Sequence, residues 1–69
     1  MLSGYHLKAM RIREKVSQNQ LAKMIGKSTR YIKYIESGER IPSEQTYRDW
    51  VDACYGLLDE PRPKTKDDE

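Results

Sequence analysis

The apolar residues of the chain fall into four short groups, with serine, glycine and proline residues between them. Within each group the apolar residues recur at spacings of three and four, which is typical of an amphipathic helix. This spacing predicts helices over residues 5–15, 18–25, 28–37 and 44–55. No segment alternates apolar and polar residues as a half-buried strand does. The pattern therefore predicts an all-α protein, a compact bundle of four to five helices.

Serines and glycines mark the ends of the predicted helices. Ser17 precedes the second helix and Gln20 stands three residues later, which is the pattern of a capping box. Ser28 and Ser43 hold the same N-cap position before the third and fourth helices. A glycine follows each of these helices, where a left-handed C-cap is easiest for a residue without a side chain. These glycines are Gly26, Gly38 and Gly56.

The apolar faces of the four helices are expected to meet in one core. Leu57 and Leu58, which follow the fourth helix, either cover the end of this core or form a short fifth turn. The expected core consists of Leu7, Met10, Leu21, Ala22, Ile25, Ile32, Ile35, Trp50, Val51 and Cys54.

The positions of the apolar residues also set the expected domain bounds. A chain of 69 residues is expected to form one domain. We place this domain at residues 5–58 and expect a flexible start at residues 1–4. Residues 59–69 are expected to form a disordered charged tail, because "PRPKTKDDE" contains no apolar residue that could anchor it.

Charge is unevenly distributed, although the net charge is only +2. From Lys8 to Arg48 there are ten Lys and Arg residues against four Asp and Glu residues. From Asp49 to Glu60 there are four acids and no base. A basic middle suits a polyanion, although proteins that bind nothing charged also have basic surfaces. No apolar run approaches the ~18 residues that cross a membrane, and the early charges do not resemble a signal peptide, so we expect a cytoplasmic protein.

Few residues could carry out catalysis or bind a metal. His6 is the only histidine and Cys54 the only cysteine, so neither a metal cluster nor an internal disulfide is expected. Cys54 could act as a nucleophile beside His6, but a small apolar core residue fits the surrounding helical pattern better. No phosphate-binding glycine loop and no plausible acid pair is present. We therefore predict that the protein is not an enzyme and has no cofactor.

The outer face of the third predicted helix is unusual in composition. At about 100° per residue, Ile32 and Ile35 point to one side of this helix, towards the core. Two interpretations are open: a solvated face whose tyrosines lean on the core, or a binding surface. The side chains that point away from the core are Arg30, Lys33, Tyr34 and Ser37.

The second and third helices match the helix-turn-helix pattern, in which two short helices are joined by a three- or four-residue turn that often contains glycine. Such a turn needs a small residue where the helices cross, and Ala22 stands there. It also needs a residue that tolerates positive φ, and Gly26 stands there. An apolar residue, Ile32, is available to pack the second helix back on the first. Together these spacings are specific.

This pattern continues on both sides of the turn. It reads "SQNQLAKMIGKSTRYIKYIESGERIPS", with "LKAMR" before it and Thr46 after it. Over about residues 7–55 the chain resembles the Cro/C1-type helix-turn-helix proteins, also called the XRE family, which includes phage repressors. The resemblance implies a lambda repressor-like DNA-binding domain, whose third helix is the recognition helix in the major groove of double-stranded DNA.

The resemblance also implies roles for individual residues. Gln18 matches a position that touches a phosphate and supports the recognition helix, and Ser37 matches a phosphate-contacting corner. Arg11 and Glu36 match a structural ion pair between the first and third helices. The positions that match contacts to base edges or nearby phosphates are Ser28, Thr29, Arg30 and Tyr34.

Side-chain chemistry adds further candidates. Arg30 is the best candidate for reading a base, because an arginine can bond two acceptors of guanine. Lys27, Lys33, Arg40 and also Lys23 are candidates for phosphate contacts, or else form part of a solvated face. Lys27 departs from the family pattern, in which the residue after the glycine is usually apolar. The usual fifth helix is also nearly absent, since "LLDEPRPK" offers one turn at most.

Two functions remain open from the sequence. The first is a sequence-specific DNA-binding transcriptional regulator, a small repressor of phage, mobile-element or bacterial operon origin. The second is a protein-interaction module, such as an antitoxin or an inhibitor, in which the same scaffold covers a protein partner. The first predicts a homodimer on paired half-sites in a bacterial or phage-infected cell. The residues expected to form its dimer contact are Tyr47, Tyr55, Leu57 and Leu58.

Overall fold

Four helices follow one another in the computed structural model, which describes residues 3–63. They are α1 (Gly4–Arg13), α2 (Gln18–Ile25), α3 (Thr29–Ser37) and α4 (Glu44–Cys54). Both α1 and α2 pack against α3 and α4. No strand occurs among the described residues, and the predicted all-α helix-turn-helix fold is confirmed.

The serine caps predicted from the sequence are present. Ser17 Oγ accepts a hydrogen bond from the backbone N–H of Gln20 at 3.0 Å, and Gln20 Oε1 accepts one from the Ser17 N–H at 2.9 Å. Ser28 and Ser43 cap α3 and α4 in the same way, each accepting from the N–H three residues later. Each cap satisfies a helix N–H that has no partner within the helix.

The first helix differs from its predicted bounds at both ends. It begins at Gly4, because Ser3 is a further serine N-cap that accepts from the His6 N–H at 3.4 Å. It ends at Arg13, because Lys15 adopts a positive φ of 61° that no helix can contain. The range expected to form a flexible start includes Gly4, the first residue of this helix, and its N-cap Ser3, while residues 1 and 2 lie outside the described residues.

Two glycines allow close backbone approaches. Gly26 ends α2 in the left-handed conformation, with φ 73°, and turns the chain towards α3. Gly4 lies where the start of α1 meets the end of α3, and a Cβ atom there would overlap the carbonyl oxygen of Ile35. Both positions therefore need the absence of a side chain for a structural reason.

The core lies between the inner faces of the four helices. Every predicted core residue except Val51 is buried, and Val51 is partly buried and packs against the others. Tyr31 and Ala53 are also buried in this cluster. Trp50 is 0% exposed, and its indole N–H donates to the Leu7 carbonyl oxygen at 3.4 Å. This hydrogen bond ties α4 to α1 across the core.

After α4 the chain crosses back over α2. We call residues 59–63 the C-terminal strap. The Arg62 N–H donates to the carbonyl oxygen of Met24 in α2 at 2.9 Å. Its guanidinium donates to Asp49 Oδ1 in α4, from Nε at 3.2 Å and from Nη2 at 3.1 Å. The sequence did not predict these contacts, since it assigned residues 59–69 to a disordered tail, of which residues 64–69 lie outside the described residues.

Candidate nucleic-acid interface

A buried ion pair fixes α3 against α1. Arg11 Nε donates to Glu36 Oε2 at 2.6 Å, and Arg11 Nη2 donates to Glu36 Oε1 at 3.2 Å. The two side chains are 9% and 4% exposed. Gln18 Nε2 donates to Glu36 Oε1 at 3.1 Å, so the first residue of α2 joins the same carboxylate. Arg11 and Glu36 are the pair that the family resemblance implies, and Gln18 ties α2 to α3 through the same carboxylate.

These contacts compensate the cost of burying charge. A buried carboxylate is tolerated when a counter-ion and hydrogen bonds replace the water that it loses. Glu36 has three donors, and Arg11 Nη1 also donates to the Val16 carbonyl oxygen at 2.8 Å. Within residues 3–63 no buried side-chain nitrogen or oxygen atom lacks a hydrogen-bond partner. The orientation of α3 is therefore set by a network whose polar groups are satisfied.

A second contact joins α2 to the first turn of α3. Thr29 Oγ1 donates to Asn19 Oδ1 at 2.7 Å. Between the two helices, the N–H of Lys27 donates to the Ala22 carbonyl oxygen at 2.9 Å, which closes the C-terminal end of α2. Ser28 uses its hydroxyl oxygen to cap α3, and it remains half-buried. The start of α3 is consequently held in place from two sides.

The outer face of α3 exposes the residues that the helical wheel predicted. Arg30, Lys33 and Ser37 are exposed, and Tyr34 and Thr29 are half-buried. Among residues 3–63 the side chains of Arg30 and Lys33 form neither an ion pair nor a hydrogen bond. Two long cationic side chains thus project from a rigid helix with their donors available.

The corner after α3 contains a carboxylate. Ser37 Oγ lies 3.1 Å from the Tyr34 carbonyl oxygen and 3.2 Å from Glu39 Oε2. Arg40 is exposed on the same corner, and Gly38 adopts φ 87° there. Any phosphate that approaches Ser37 would meet the negative charge of Glu39 unless that side chain turns away.

Lys27 lies against an aromatic ring. Its Nζ is 5.2 Å from the centroid of the Tyr31 ring, within the range of a cation–π interaction. Tyr31 itself is buried at 7% exposure, which holds the ring in place. The ammonium group of the lysine that departs from the family pattern therefore lies over the ring of a core residue.

Two residues near α3 were missed from the sequence. Asn19 bonds to Thr29, and Arg62 lies beside the same turn through the C-terminal strap. Both contacts join residues far apart in the chain, and neither leaves a periodic signal. The polarity of Asn19 alone did not indicate that its side chain bonds to Thr29.

The residues expected to form a dimer contact divide into two pairs. Tyr55 and Leu57 are 44% and 67% exposed. Tyr47 and Leu58 are partly buried and pack against the core. Arg13 Nη2 donates to the Tyr55 hydroxyl at 3.1 Å, which places the tyrosine beside the outer face of α1. The exposed pair is therefore the more accessible of the two for a contact with a second copy.

Other chemistry is sparse in the described part of the chain. Burial raises the pKa of the Cys54 thiol from 9.0 to about 11, so the neutral thiol is favoured at ordinary pH. Residues 3–63 contain no group of three or more His, Cys, Asp or Glu side chains that could hold a metal ion. None of the four described helices has the length and apolar character needed to cross a bilayer.

Comparison with known proteins supplies the family. A family model described as helix-turn-helix matches residues 7–54, which include all of α2, α3 and α4 and most of α1. No curated protein and no solved structure matched the chain. The matched region contains the buried ion pair, the turn at Gly26 and the exposed face of α3. The chain belongs to the Cro/C1-type helix-turn-helix family, the XRE family, whose members are DNA-binding regulators.

Proposed function

We propose that the protein is a small sequence-specific transcriptional repressor that inserts α3 into the major groove of double-stranded DNA. The observation that carries this proposal is the outer face of α3. The side chains of Arg30 and Lys33 are exposed there and form no hydrogen bond or ion pair within residues 3–63. The helix beneath them is fixed by the ion pair between Arg11 and Glu36. A helix fixed in this way suits base readout, because the conformational entropy of its backbone is lost on folding and not on binding.

Base readout is assigned to the first half of α3. Arg30 lies one residue after the helix begins, where side chains reach base edges when a recognition helix enters the groove by its N-terminal end. Its guanidinium can donate to both O6 and N7 of guanine. Thr29, Ser28 and Tyr34 flank it and contact base edges or nearby phosphates. Thr29 is positioned for this by its bond to Asn19.

Phosphate contacts are assigned to residues around this reading face. Lys33 lies a turn further along α3, and the ammonium of Lys27 lies over the Tyr31 ring, next to the start of α3. Gln18 at the N-terminus of α2 has a second amide hydrogen available for a phosphate after donating one to Glu36. Contacts of this kind set the position of the protein and its affinity, whereas base contacts set its preference. The remaining assigned phosphate contacts are Ser37 and Arg40.

Binding as a homodimer completes the proposal. A single recognition helix covers about half a site, and dimers of this class pair half-sites roughly 34–36 Å apart. The exposed side chains of Tyr55 and Leu57 support a contact between two copies. Tyr47 and Leu58, which pack against the core, contribute to this contact only by shaping the surface around the exposed pair.

Selection from a pool of randomised duplexes tests the function. The purified protein should enrich one motif, and the motif should contain two inverted half-sites if the protein binds as a dimer. A motif with a single half-site and one bound protein would contradict the dimer but not the reading of bases by α3. If the protein retains DNA without enriching any motif and also binds a protein partner tightly, the repressor function would be contradicted and the antitoxin or inhibitor alternative supported.

A further inference from the structure

A basic groove lies beside the start of α3 and shares only Lys27 and Thr29 with the DNA-binding residues assigned above. It has a volume of about 350 Å³ and is open to solvent on one side. Its cationic lining residues are Lys23 of α2, Lys27 of the turn and Arg62 of the C-terminal strap. Asn19 and Thr29 supply polar groups, and none of the lining residues within 3–63 is acidic. Three positive charges therefore meet in one concave surface.

Arg62 reaches this groove because the strap is anchored at two points. Its backbone N–H bonds to Met24 in α2, and its guanidinium bonds to Asp49 in α4. The Asp49 side chain is 7% exposed, whereas that of Arg62 is 44% exposed. The carboxylate is thus covered, and part of the guanidinium faces solvent. A guanidinium has five N–H donors, of which two are used for Asp49.

Gly26 also contributes to this arrangement. A Cβ atom at Gly26 would overlap the carbonyl oxygen of Pro63, so the strap can lie against α2 only where the turn has no side chain. The left-handed turn of the helix-turn-helix and the approach of the strap therefore depend on the same residue.

We propose that this groove binds a phosphate group of the DNA backbone, and that the C-terminal strap is thereby part of the DNA interface. The inference rests on the proposed function, because it requires α3 to lie in the major groove. That groove is about 12 Å wide, so a helix inside it is flanked closely by the backbones of both strands. Thr29 belongs both to the reading end of α3 and to the edge of the basic groove. A backbone beside that end meets three cations, and the carboxylate of Asp49 is bonded to one of them, Arg62.

The phosphate is held by point charges and by hydrogen bonds. Lys23 and Lys27 supply ammonium groups on one side, and Arg62 supplies a planar donor group whose geometry matches a phosphate. These contacts do not depend on the base sequence. They therefore add affinity on any DNA and leave the preference to Arg30.

The salt dependence of binding tests the groove. Each lost phosphate contact should lower the slope of log affinity against log salt by about one, so each loss removes a factor of about 3.5 from the change in affinity between 50 and 200 mM salt. We expect this for Lys23→Ala and for Arg62→Ala, equally on specific and scrambled duplexes. Arg62→Lys retains the charge and should keep most of the slope. Lys8→Ala is the matched control, since Lys8 is exposed on the outer face of α1, which packs on α3 and α4.

The variants separate this inference from the proposed function. Lys23 is exposed on α2, so its replacement should not change folding, and thermal melts of the Arg62 variants check the strap. Wild-type slopes for both Lys23→Ala and Arg62→Ala would overturn the groove, while a motif still enriched by the wild-type protein would leave the repressor function intact. A reduced slope for Lys23→Ala alone would remove the strap from the interface and overturn its part in the proposal.

Discussion

The ion pair beneath α3 makes a specific prediction for Glu36→Gln. This change keeps the shape of the side chain and removes its charge. Arg11, whose side chain is 9% exposed, would then keep a buried positive charge without its counter-ion. The new amide nitrogen would also face donors from Arg11 or Gln18, which now both bond to the carboxylate. The variant therefore loses charge compensation and gains a clash of donors.

The size of the effect follows from the burial of both groups. Removing one partner of a buried pair costs on the order of 3–5 kcal/mol, because the other charge is left uncompensated. At roughly 0.05–0.15 kcal/mol per residue, a chain of 69 residues has a total stability of roughly 3–10 kcal/mol. Glu36→Gln should thus remove a large part of the free energy of unfolding.

Urea denaturation measures this loss. Trp50 is fully buried and reports unfolding by fluorescence, and far-UV circular dichroism reports the helices. Glu44→Gln is the matched control, because Glu44 pairs with Arg48 four residues later and both side chains are largely exposed, at 73% and 67%. An exposed pair contributes about 0–1 kcal/mol. A loss below about 1 kcal/mol for Glu36→Gln, or equal losses for both variants, would refute the reasoning.

Three further predictions concern the turn, the buried thiol and the dimer. Gly26→Ala should destabilise the fold more than Gly38→Ala, because both residues adopt a positive φ but only a Cβ at Gly26 meets the strap. The left-handed backbone alone should cost each variant about 1–2 kcal/mol. Equal losses of stability in urea denaturation would mean that the strap moves aside. The contribution of Cys54 to the free energy of unfolding should fall by about 2 kcal/mol between pH 9 and pH 11, because the unfolded thiol ionises around pH 9 while burial raises its folded pKa to about 11. The stability of Cys54→Ala should fall correspondingly less over the same range. A pH dependence equal to that of the wild-type protein would show that the Cys54 thiol does not cause the fall. Leu57→Asp should reduce the number of protein copies bound to the selected duplex from two to one, as measured by sedimentation. The control Ile41→Asp, which alters an 86% exposed residue before α4, should leave two copies bound. Two copies with both variants would exclude Leu57 from the dimer contact.

The helices could be predicted because their ends carry strong local signals. Ser17 and Gly26 mark the two ends of α2 at the residues expected, since a capping box and a left-handed glycine each act over only a few residues. Most of the core followed from the helical spacing for the same reason. The end of α1 was predicted less well, because the positive φ of Lys15 is not expected from a lysine.

The C-terminal strap could not be predicted because it is held by polar contacts. Arg62 bonds to a backbone carbonyl in α2 and to a carboxylate in α4, and neither contact needs an apolar residue nearby in the sequence. Composition alone therefore favours disorder for this segment. The burial of Asp49 was likewise hidden, since its position on α4 has no signal of a counter-ion that lies 13 residues away.

The DNA-reading residues could be proposed from the sequence, but their surroundings could not. The periodicity of α3 predicted that Arg30 and Lys33 point away from Ile32 and Ile35. It did not predict that Glu39 lies beside Ser37, because the turn after α3 sets that contact. Side-chain direction on a helix follows from periodicity, whereas contacts in turns depend on backbone angles that spacing does not determine.

The most direct test of the reading role is a binding titration of Arg30→Ala and Lys33→Ala on the selected duplex and on a scrambled one, at several salt concentrations. Arg30→Ala should cost about 1–3 kcal/mol on the selected site and relax the preference at one base pair, with little effect on scrambled DNA. Lys33→Ala should weaken binding to both duplexes alike and lower the salt slope by about one. Equal losses on both duplexes for Arg30→Ala would show that Arg30 does not read a base. Unchanged binding in both variants would contradict the placement of α3 in the major groove.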